Sequence, residues 1–360
     1  MTRSHLYAVI LAGGRGTRFW PRSRTRRAKQ VLELFGSGSL IQQTVARLSP
    51  VVPPRNVWIL TNGHLRDEII SQLPEVPKAQ ILAEPAQRNT APAIGLAAHI
   101  LKSVDPKAVM GVFPADHIIQ QPGRFIRLVR SAYRNASAGK MVLLGIQPRW
   151  AEPGYGYLEF APGTLQPGSL EPSRIIRFRE KPDAPTAATY VAAGNFCWNA
   201  GMFFWRADVL EAELRRHLPG TADMLFGLPP FTHRLFRSKL KETYPKCEDI
   251  SIDFAVAEKA ASIDALVADD IGWNDVGGWN ALYQLLPRDA EKNAHRGEAA
   301  FIASTGNYVD AEGKLVALLG VEDLIVVDTP DALLVTTRQH AHRVGEVVKR
   351  LEASKRDDLL

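Results

Sequence analysis

The chain of 360 residues holds only two cysteines, Cys197 and Cys247, which excludes a disulfide framework and a four-cysteine metal site. It lacks any apolar run near the roughly 20 residues that a membrane helix requires, so no bilayer-spanning helix is expected. Low-complexity stretches and long linkers are missing as well. Apolar residues make up 46% and charged residues 23%, proportions that exclude a mostly disordered chain. The first apolar stretch, residues 6–12, is too short for a signal peptide and runs straight into glycines, so it reads as a strand. A reducing, cytoplasmic setting without membrane contact is expected. The most informative absence is that of acids from residues 15–29, which hold Arg15, Arg18, Arg22, Arg24, Arg26, Arg27 and Lys29. The net charge of +6 becomes −1 once these seven cations are set aside, so the basicity belongs to one loop. Such a loop suits a polyphosphate ligand at least as well as a duplex. With no aromatics beyond Phe19 and Trp20 interleaved and no recognised module, nucleic acid is not an expected partner.

At roughly 100–200 residues per domain, the length allows two domains. Up to residue 145, strand-like and helix-like patterns alternate. Residues 7–11, 57–60, 79–83, 108–112 and 141–145 read as buried strands, and Leu40–Leu48 (with Ser39 as N-cap), 64–73, 91–102 and 124–138 as helices. This alternation predicts an α/β domain with a largely parallel sheet. From 146 to about 285 the elements are mixed: strands over 155–160, 175–178 and 196–205, and a helix over 252–259 opened by Ser251. Beyond 285, short apolar runs at 315–319, 324–327 and 333–335 alternate with turn residues, and an amphipathic helix follows near 339–351. The expected division is 1–285 and 286–360, the second a small β-rich unit closed by a helix. The apolar side of that helix suggests a homodimer.

The strongest local signal is Leu11-Ala12-Gly13-Gly14-Arg15-Gly16-Thr17-Arg18, directly after the first strand. Glycines let backbone N–H groups converge on an anion, and open α/β sheets bind ligands at the carboxyl ends of their strands. No Gly-Lys-Ser/Thr ending follows, and Phe19 stands where a dinucleotide fingerprint needs its third glycine, so both common phosphate loops are excluded. A tight turn lined by solvated arginines remains the plain alternative.

With Lys29-Gln30 downstream, this loop resembles the signature of the sugar-nucleotide pyrophosphorylases, which join a nucleoside triphosphate to a sugar 1-phosphate. Glu84-Pro85, Asn89-Thr90-Ala91-Pro92-Ala93, Phe113-Pro114-Ala115-Asp116-His117, Gly154-Tyr155-Gly156-Tyr157 and Phe178-Arg179-Glu180-Lys181-Pro182 follow in order. So do Trp198-Asn199-Ala200-Gly201-Met202-Phe203, Ser251-Ile252-Asp253 and Trp273-Asn274-Asp275-Val276-Gly277-Gly278-Trp279. Together they are similar to the branch that uses GTP and mannose 1-phosphate. The resemblance implies a Rossmann-like nucleotidyltransferase domain with a mixed, mostly parallel sheet, followed by a short left-handed β-helix-like domain. It further implies transfer of GMP to α-D-mannose 1-phosphate, giving GDP-mannose and pyrophosphate, with Mg²⁺ as cofactor. Ala28 departs from the pattern, since the family usually has proline before the lysine. No stretch answers to the isomerase domain of some longer relatives, so one activity is expected.

The resemblance assigns the metal to Asp116 and Asp275, which lie 159 residues apart in the chain; a helix cap and an Asx turn are their plain alternatives. Arg18 and Lys29 are the cations expected on the triphosphate, whereas Arg22, Arg24, Arg26 and Arg27 read as surface charge. Residues Leu11 to Thr17, together with Glu84, Asn89, Thr90 and Ala93, are expected at the nucleotide. Glu84 is placed to accept from N1–H and the 2-amino group of guanine, or else initiates a helix. Asn89 and Thr90 open a helix whose N-terminus offers N–H donors, or simply cap it. Gly156, Glu180, Lys181, Asn199 and Asp253 are expected at the sugar phosphate; taken without the resemblance, Glu180-Lys181 is an ordinary surface pair and Asp253 a capping acid. His117 has no second histidine at ligand spacing and reads as structural, and Cys197 as a buried small residue. A glucose or manno-heptose 1-phosphate in place of mannose 1-phosphate, or a non-catalytic GDP-mannose-binding subunit, are the rival readings.

Overall fold

The computed structural model describes residues 4–14 and 16–360. Its strands are β1 (Leu6–Ala12), β2 (Val57–Thr61), β3 (Ile81–Ala83), β4 (Val109–Pro114), β5 (Ile118–Ile119), β6 (Val142–Ile146), β7 (Tyr157–Phe160), β8 (Ser173–Arg179), β9 (Phe196–Arg206), β10 (Asp264–Ala268) and β11 (Trp273–Asn274). The helices are α1 (Leu40–Leu48), α2 (Arg66–Gln72), α3 (Thr90–Val104), α4 (Pro122–Ser137), α5 (Ala184–Ala193), α6 (Ala207–His217), α7 (Pro219–Phe226), α8 (Phe236–Thr243) and α9 (Trp279–Leu285). Among the described residues the main sheet has nine strands in the order β3-β2-β1-β4-β9-β6-β10-β8-β7. β1, β2, β3 and β4 run parallel, and β9 lies antiparallel between β4 and β6. The expected mixed sheet is therefore present, parallel from β3 to β4 and between β6 and β10, with the other pairings antiparallel.

Each face of the sheet supports one apolar layer. Successive side chains of a strand point to opposite faces, so Tyr7 and Val9 join the core under α3, α6 and α7, while Ala8 and Ile10 join that under α1, α2 and α4. This is why β1 reads as a continuous apolar run. Its neighbours β2 and β4 lie on opposite sides, which makes the end of β1 the switch point where such sheets open a crevice. Ser39 caps α1 reciprocally with Gln42, as its position predicts. Helices α5 to α8 are additional to those expected from sequence; Pro219 opens α7, and Pro229 and Pro230 lie between α7 and α8. The helix expected over 252–259 is instead a π turn, Asp253–Ala257.

The C-terminal part is β-helix-like. Strands β12 (Ala294–Arg296), β13 (Ala299–Ile302), β14 (Tyr308–Asp310), β15 (Val316–Leu319), β16 (Leu324–Thr329) and β17 (Ala332–Thr337) precede α10 (Val344–Ala353). Parallel ladders link β12 to β14 to β16 and β13 to β15, and β17 closes the unit antiparallel to β16. Two buried asparagines tie successive coils: Asn307 donates to Asn293 Oδ1 (3.0 Å) and to the Val321 carbonyl (3.2 Å), while its own Oδ1 accepts from Leu324 N–H (2.8 Å). The unit does not stand apart. Tyr308, Ile325, Val327, Leu334, Val344 and Val348 share one core with Phe19, Trp20, Leu32, Leu34 and Trp279. The apolar side of the terminal helix, which suggested a dimer contact, is thus covered by this chain itself.

Asn307→Ala should therefore destabilise the protein by about 2–4 kcal/mol, because it strands a buried N–H and a buried carbonyl. The shift in denaturant midpoint measures this.

Candidate active site

The glycine loop leaves the end of β1 and is held open by its own downstream motif. Gln30 Nε2 donates to the Ala12 carbonyl (2.7 Å) and the Gly14 carbonyl (3.0 Å), a role that sequence reading did not assign. Gly16 has φ +61°, and a Cβ there would lie 2.7 Å from both Lys29 N and Cβ. Only glycine lets the two segments approach so closely. Ala28, at φ −71°, adopts the backbone angle that proline would impose, so the departure from the family pattern leaves the local path intact.

Lys29 is the meeting point. Its buried ammonium pairs with Asp116 Oδ2 at 2.8 Å and donates to the Asp275 backbone carbonyl at 2.6 Å. Burial works against the charged Asp116 carboxylate, but Lys29 and His117 outweigh it and hold its pKa below the usual range. Asp116 caps no helix, since α4 begins after Gln121. The Asx turn belongs to Asn274, whose Oδ1 accepts from Val276 N–H at 2.7 Å, so neither plain alternative for the two aspartates applies. Asp275 Oδ1 accepts from Tyr155 Oη at 2.6 Å, and the Tyr155 ring is braced edge-on by Trp198 and Trp273. Tyr155 went unassigned in the sequence although it stands in a quoted motif.

Two cavities are bordered by the aspartates that this ammonium contacts. One of about 490 Å³ is lined by Leu11, Ala12, Gly13, Gly14, Glu84, Asn89, Thr90, Ala93 and Asp116. The other, about 190 Å³, is lined by Gly156, Glu180, Asn199, Asp253 and Asp275. Most residues expected at the two ligands from sequence thus fall into separate cavities, whereas Arg18, Lys29 and Lys181 line neither. Arg18 is exposed beside the Asp275 turn, where a Cβ added to Gly277 would lie 3.4 Å from Arg18 Nη1 and 3.6 Å from Asp275 Oδ2. Gly16 and Thr17 do not line either cavity. Arg15 lies outside the described residues.

In the larger cavity Glu84 has a partner that no local pattern reveals, the buried Tyr244, whose hydroxyl donates to Glu84 Oε2. Burial raises the Glu84 pKa to about 7 against that hydrogen bond. Glu84 initiates no helix. Asn89 is the cap of α3, the plainer of the two roles expected for it. The Thr90 N–H is taken by Asn89 Oδ1 (2.9 Å) and the Ala91 N–H by the Ile250 carbonyl (3.1 Å), so the helix start offers fewer free donors than expected. Thr90 instead ties the two sides together, its Oγ1 accepting from Ile252 N–H at 2.8 Å.

In the smaller cavity, a Cβ on Gly156 would come within 2.5 Å of Glu180 Oε2 and 3.3 Å of Asn199 Cβ. The Glu180 side chain is buried and its Oε1 pairs with the exposed Lys181 at 2.9 Å, so this is no ordinary surface pair. Asn199 Nδ2 donates to Asp253 Oδ1 (3.0 Å), and its Oδ1 accepts from Gly201 N–H (3.0 Å). Burial, then repulsion from Glu180, pushes Asp253 up to about 7. The π turn sets Asp253 here, a local irregularity of the kind found at functional sites.

His117, which also lines the smaller cavity, accepts at Nδ1 from Trp273 Nε1 at 3.2 Å, and burial lowers its pKa to about 4. Cys197 is fully buried. Among the described residues no group of three His, Cys, Asp or Glu gathers as a metal cage. Two hard carboxylates at the junction of the cavities do fit a cation that keeps most of its water and shares phosphate oxygens.

Residues 7–292 match the family model described as nucleotidyl transferase, and residues 297–351 that of the MannoseP isomerase/GMP-like beta-helix domain. The chain is 38% identical, over 99% of its length and 76% of the relative's, to mannose-1-phosphate guanylyltransferase of Escherichia coli (strain K12). The Klebsiella pneumoniae protein of the same name is also 38% identical, with 98% of this chain and 75% of that one covered. A solved structure, described as mannose-1-phosphate geranyltransferase from Thermus thermophilus, superposes with a TM-score of 0.85 at 32% identity, covering 97% of this chain and all of that one. The chain belongs to the nucleotidyl transferase family, in the mannose-1-phosphate guanylyltransferase branch that carries a C-terminal β-helix domain.

Proposed function

We propose that this chain transfers GMP from GTP to α-D-mannose 1-phosphate, releasing pyrophosphate and forming GDP-mannose. One observation carries the reading: a buried ammonium contacts the Asp116 carboxylate, which lines the larger cavity, and the backbone carbonyl of Asp275, which lines the smaller. A phosphate oxygen of the sugar attacks the α-phosphorus of GTP in line as the bond to pyrophosphate breaks. No covalent intermediate and no nucleophilic Ser, Cys or His is needed. The task is to orient two polyanions and offset their repulsion.

Asp116 and Asp275 would hold Mg²⁺, which when bound supplies charge neutralisation at the phosphates. Lys29 and Arg18 stabilise charge on the α-phosphate and the departing pyrophosphate, and the loop from Leu11 to Thr17 presents its N–H groups to the triphosphate. Glu84 accepts from N1–H and the 2-amino group of guanine, a donor pair that adenine lacks. On the sugar side, Gly156 leaves room for the hexose, Glu180 and Asn199 take its hydroxyls, Asp253 orients Asn199, and Lys181 holds the sugar phosphate. A non-catalytic subunit is disfavoured because Asp116, Asp275, Arg18 and Lys29 are all retained.

The deciding experiment measures pyrophosphate release with Mg²⁺, crossing GTP, ATP, UTP and dTTP with mannose 1-phosphate and glucose 1-phosphate. Release confined to GTP with mannose 1-phosphate, and lost in Asp116→Ala, is expected. Release from another pair would overturn the substrate assignment, and binding of GDP-mannose without any turnover would favour the regulatory subunit.

Because both Glu84 oxygens accept only when the carboxyl is ionised, and burial raises its pKa to about 7, GTP should bind more tightly as pH rises from 6 to 8. Glu84→Gln should flatten that dependence relative to wild type and reduce the preference for GTP over ATP by about 10–100-fold, as expected when one partner of a paired recognition is lost. Titration calorimetry across pH reads both effects. Gly156→Ala, whose methyl meets Glu180, should raise KM for mannose 1-phosphate at least about tenfold while KM for GTP stays within a factor of about two.

A further inference from the structure

We propose that the C-terminal β-helix is a working part of the triphosphate site, with Arg22 and Asp310 as positioning residues that hold the segment bearing Arg18 and Lys29. This inference rests on the reading of those two cations as triphosphate ligands. The basic segment read as surface charge in sequence, yet two of its arginines are tied to acids of the β-helix. Arg22 reaches Asp310 Oδ1 at 2.5 Å and Glu312 Oε1 at 3.3 Å, and Arg24 reaches Asp331 Oδ1 at 2.9 Å. Asp310 is 1% exposed and Arg22 17%, so the first pair is desolvated and screened little by salt. Arg26 and Arg27 stay exposed.

Other contacts from the same unit follow the segment along its length. A Cβ on Gly345 of α10 would lie 3.7 Å from Thr17 Oγ1. Trp20 Nε1 donates to the Leu359 carbonyl at 2.9 Å, and Arg296 Nη1 to the Glu33 carbonyl at 2.5 Å. On the other side Lys29 reaches Asp116. The segment is therefore held between the catalytic sheet and the β-helix.

The charge pattern gives this arrangement a chemical purpose. A loop with seven cations and no acid would draw all its side chains toward a triphosphate, in many competing arrangements. Acids supplied by the β-helix occupy Arg22 and Arg24 and so take two of the competing cations away from the ligand. Fixed cations need not reorganise as charge moves to pyrophosphate, which is where preorganised electrostatics gains its effect.

The test uses the full chain with Asp310→Asn, the exchange Arg22→Asp with Asp310→Arg, and the milder Asp331→Asn, whose side chain is 47% exposed. Initial rates give kcat and both KM values, and circular dichroism checks folding. Asp310→Asn should raise KM for GTP about tenfold with KM for mannose 1-phosphate within about twofold, and the exchange should recover most of the loss. Asp331→Asn should raise KM for GTP about two- to threefold. An unchanged KM for GTP in folded Asp310→Asn, or equal increases in both KM values without recovery by the exchange, overturns the proposal. If Asp310→Asn does not fold, an unchanged KM for GTP in Asp331→Asn overturns it. Lys29→Ala separates the two layers: if it leaves GTP kinetics intact, the reading of the triphosphate cations has failed; if it abolishes turnover while the Asp310 variant behaves as wild type, only the positioning role has.

Discussion

A buried ammonium must be matched by oxygen, and Lys29 meets that demand with groups from two segments far away in the chain. Asp116 arrives at the end of β4, and the Asp275 carbonyl arrives from the turn after β11. Neither carboxylate segment is near the other in sequence, so the site exists only when the sheet is complete. The close approach of Gly16 to Lys29 adds a steric condition to the electrostatic one. Once both hold, one cation contacts Asp116 of the larger cavity and Asp275 of the smaller, an arrangement suited to bringing two anions together.

The C-terminal unit extends the same logic. Its core is continuous with Phe19, Trp20 and Trp279, and Trp279 Nε1 donates to the Trp20 carbonyl at 3.0 Å. The asparagines that link its coils stiffen a surface on which Asp310 is presented at a strand end. A small β unit with little core of its own is stabilised by this shared packing, and the loop it covers is stabilised in return.

Much of the architecture was legible because local patterns match the final environment. β1 is apolar throughout since both its faces are buried, and α1 begins where Ser39 and Gln42 can cap each other. The reading failed where elements are short or irregular. Residues 252–259 carry a helical pattern, but the chain widens into a π turn that sets Asp253 beside Asn199. At the start of α3 the sequence left a donor site and a plain cap open, and the fold selects the cap, with Asn89 and the Ile250 carbonyl taking the first N–H groups.

From sequence alone came the α/β class, the family resemblance, and many of the residues that line the two cavities. These depend on order and spacing along the chain, which a sequence displays directly. Only the tertiary structure decided which partners those residues meet: Tyr244 on Glu84, Tyr155 on Asp275, Asp253 on Asn199, and Asp310 on Arg22. Each pair joins segments that are remote in sequence, and their ionisation and orientation follow from burial and contact. Neither quantity exists until the chain has folded.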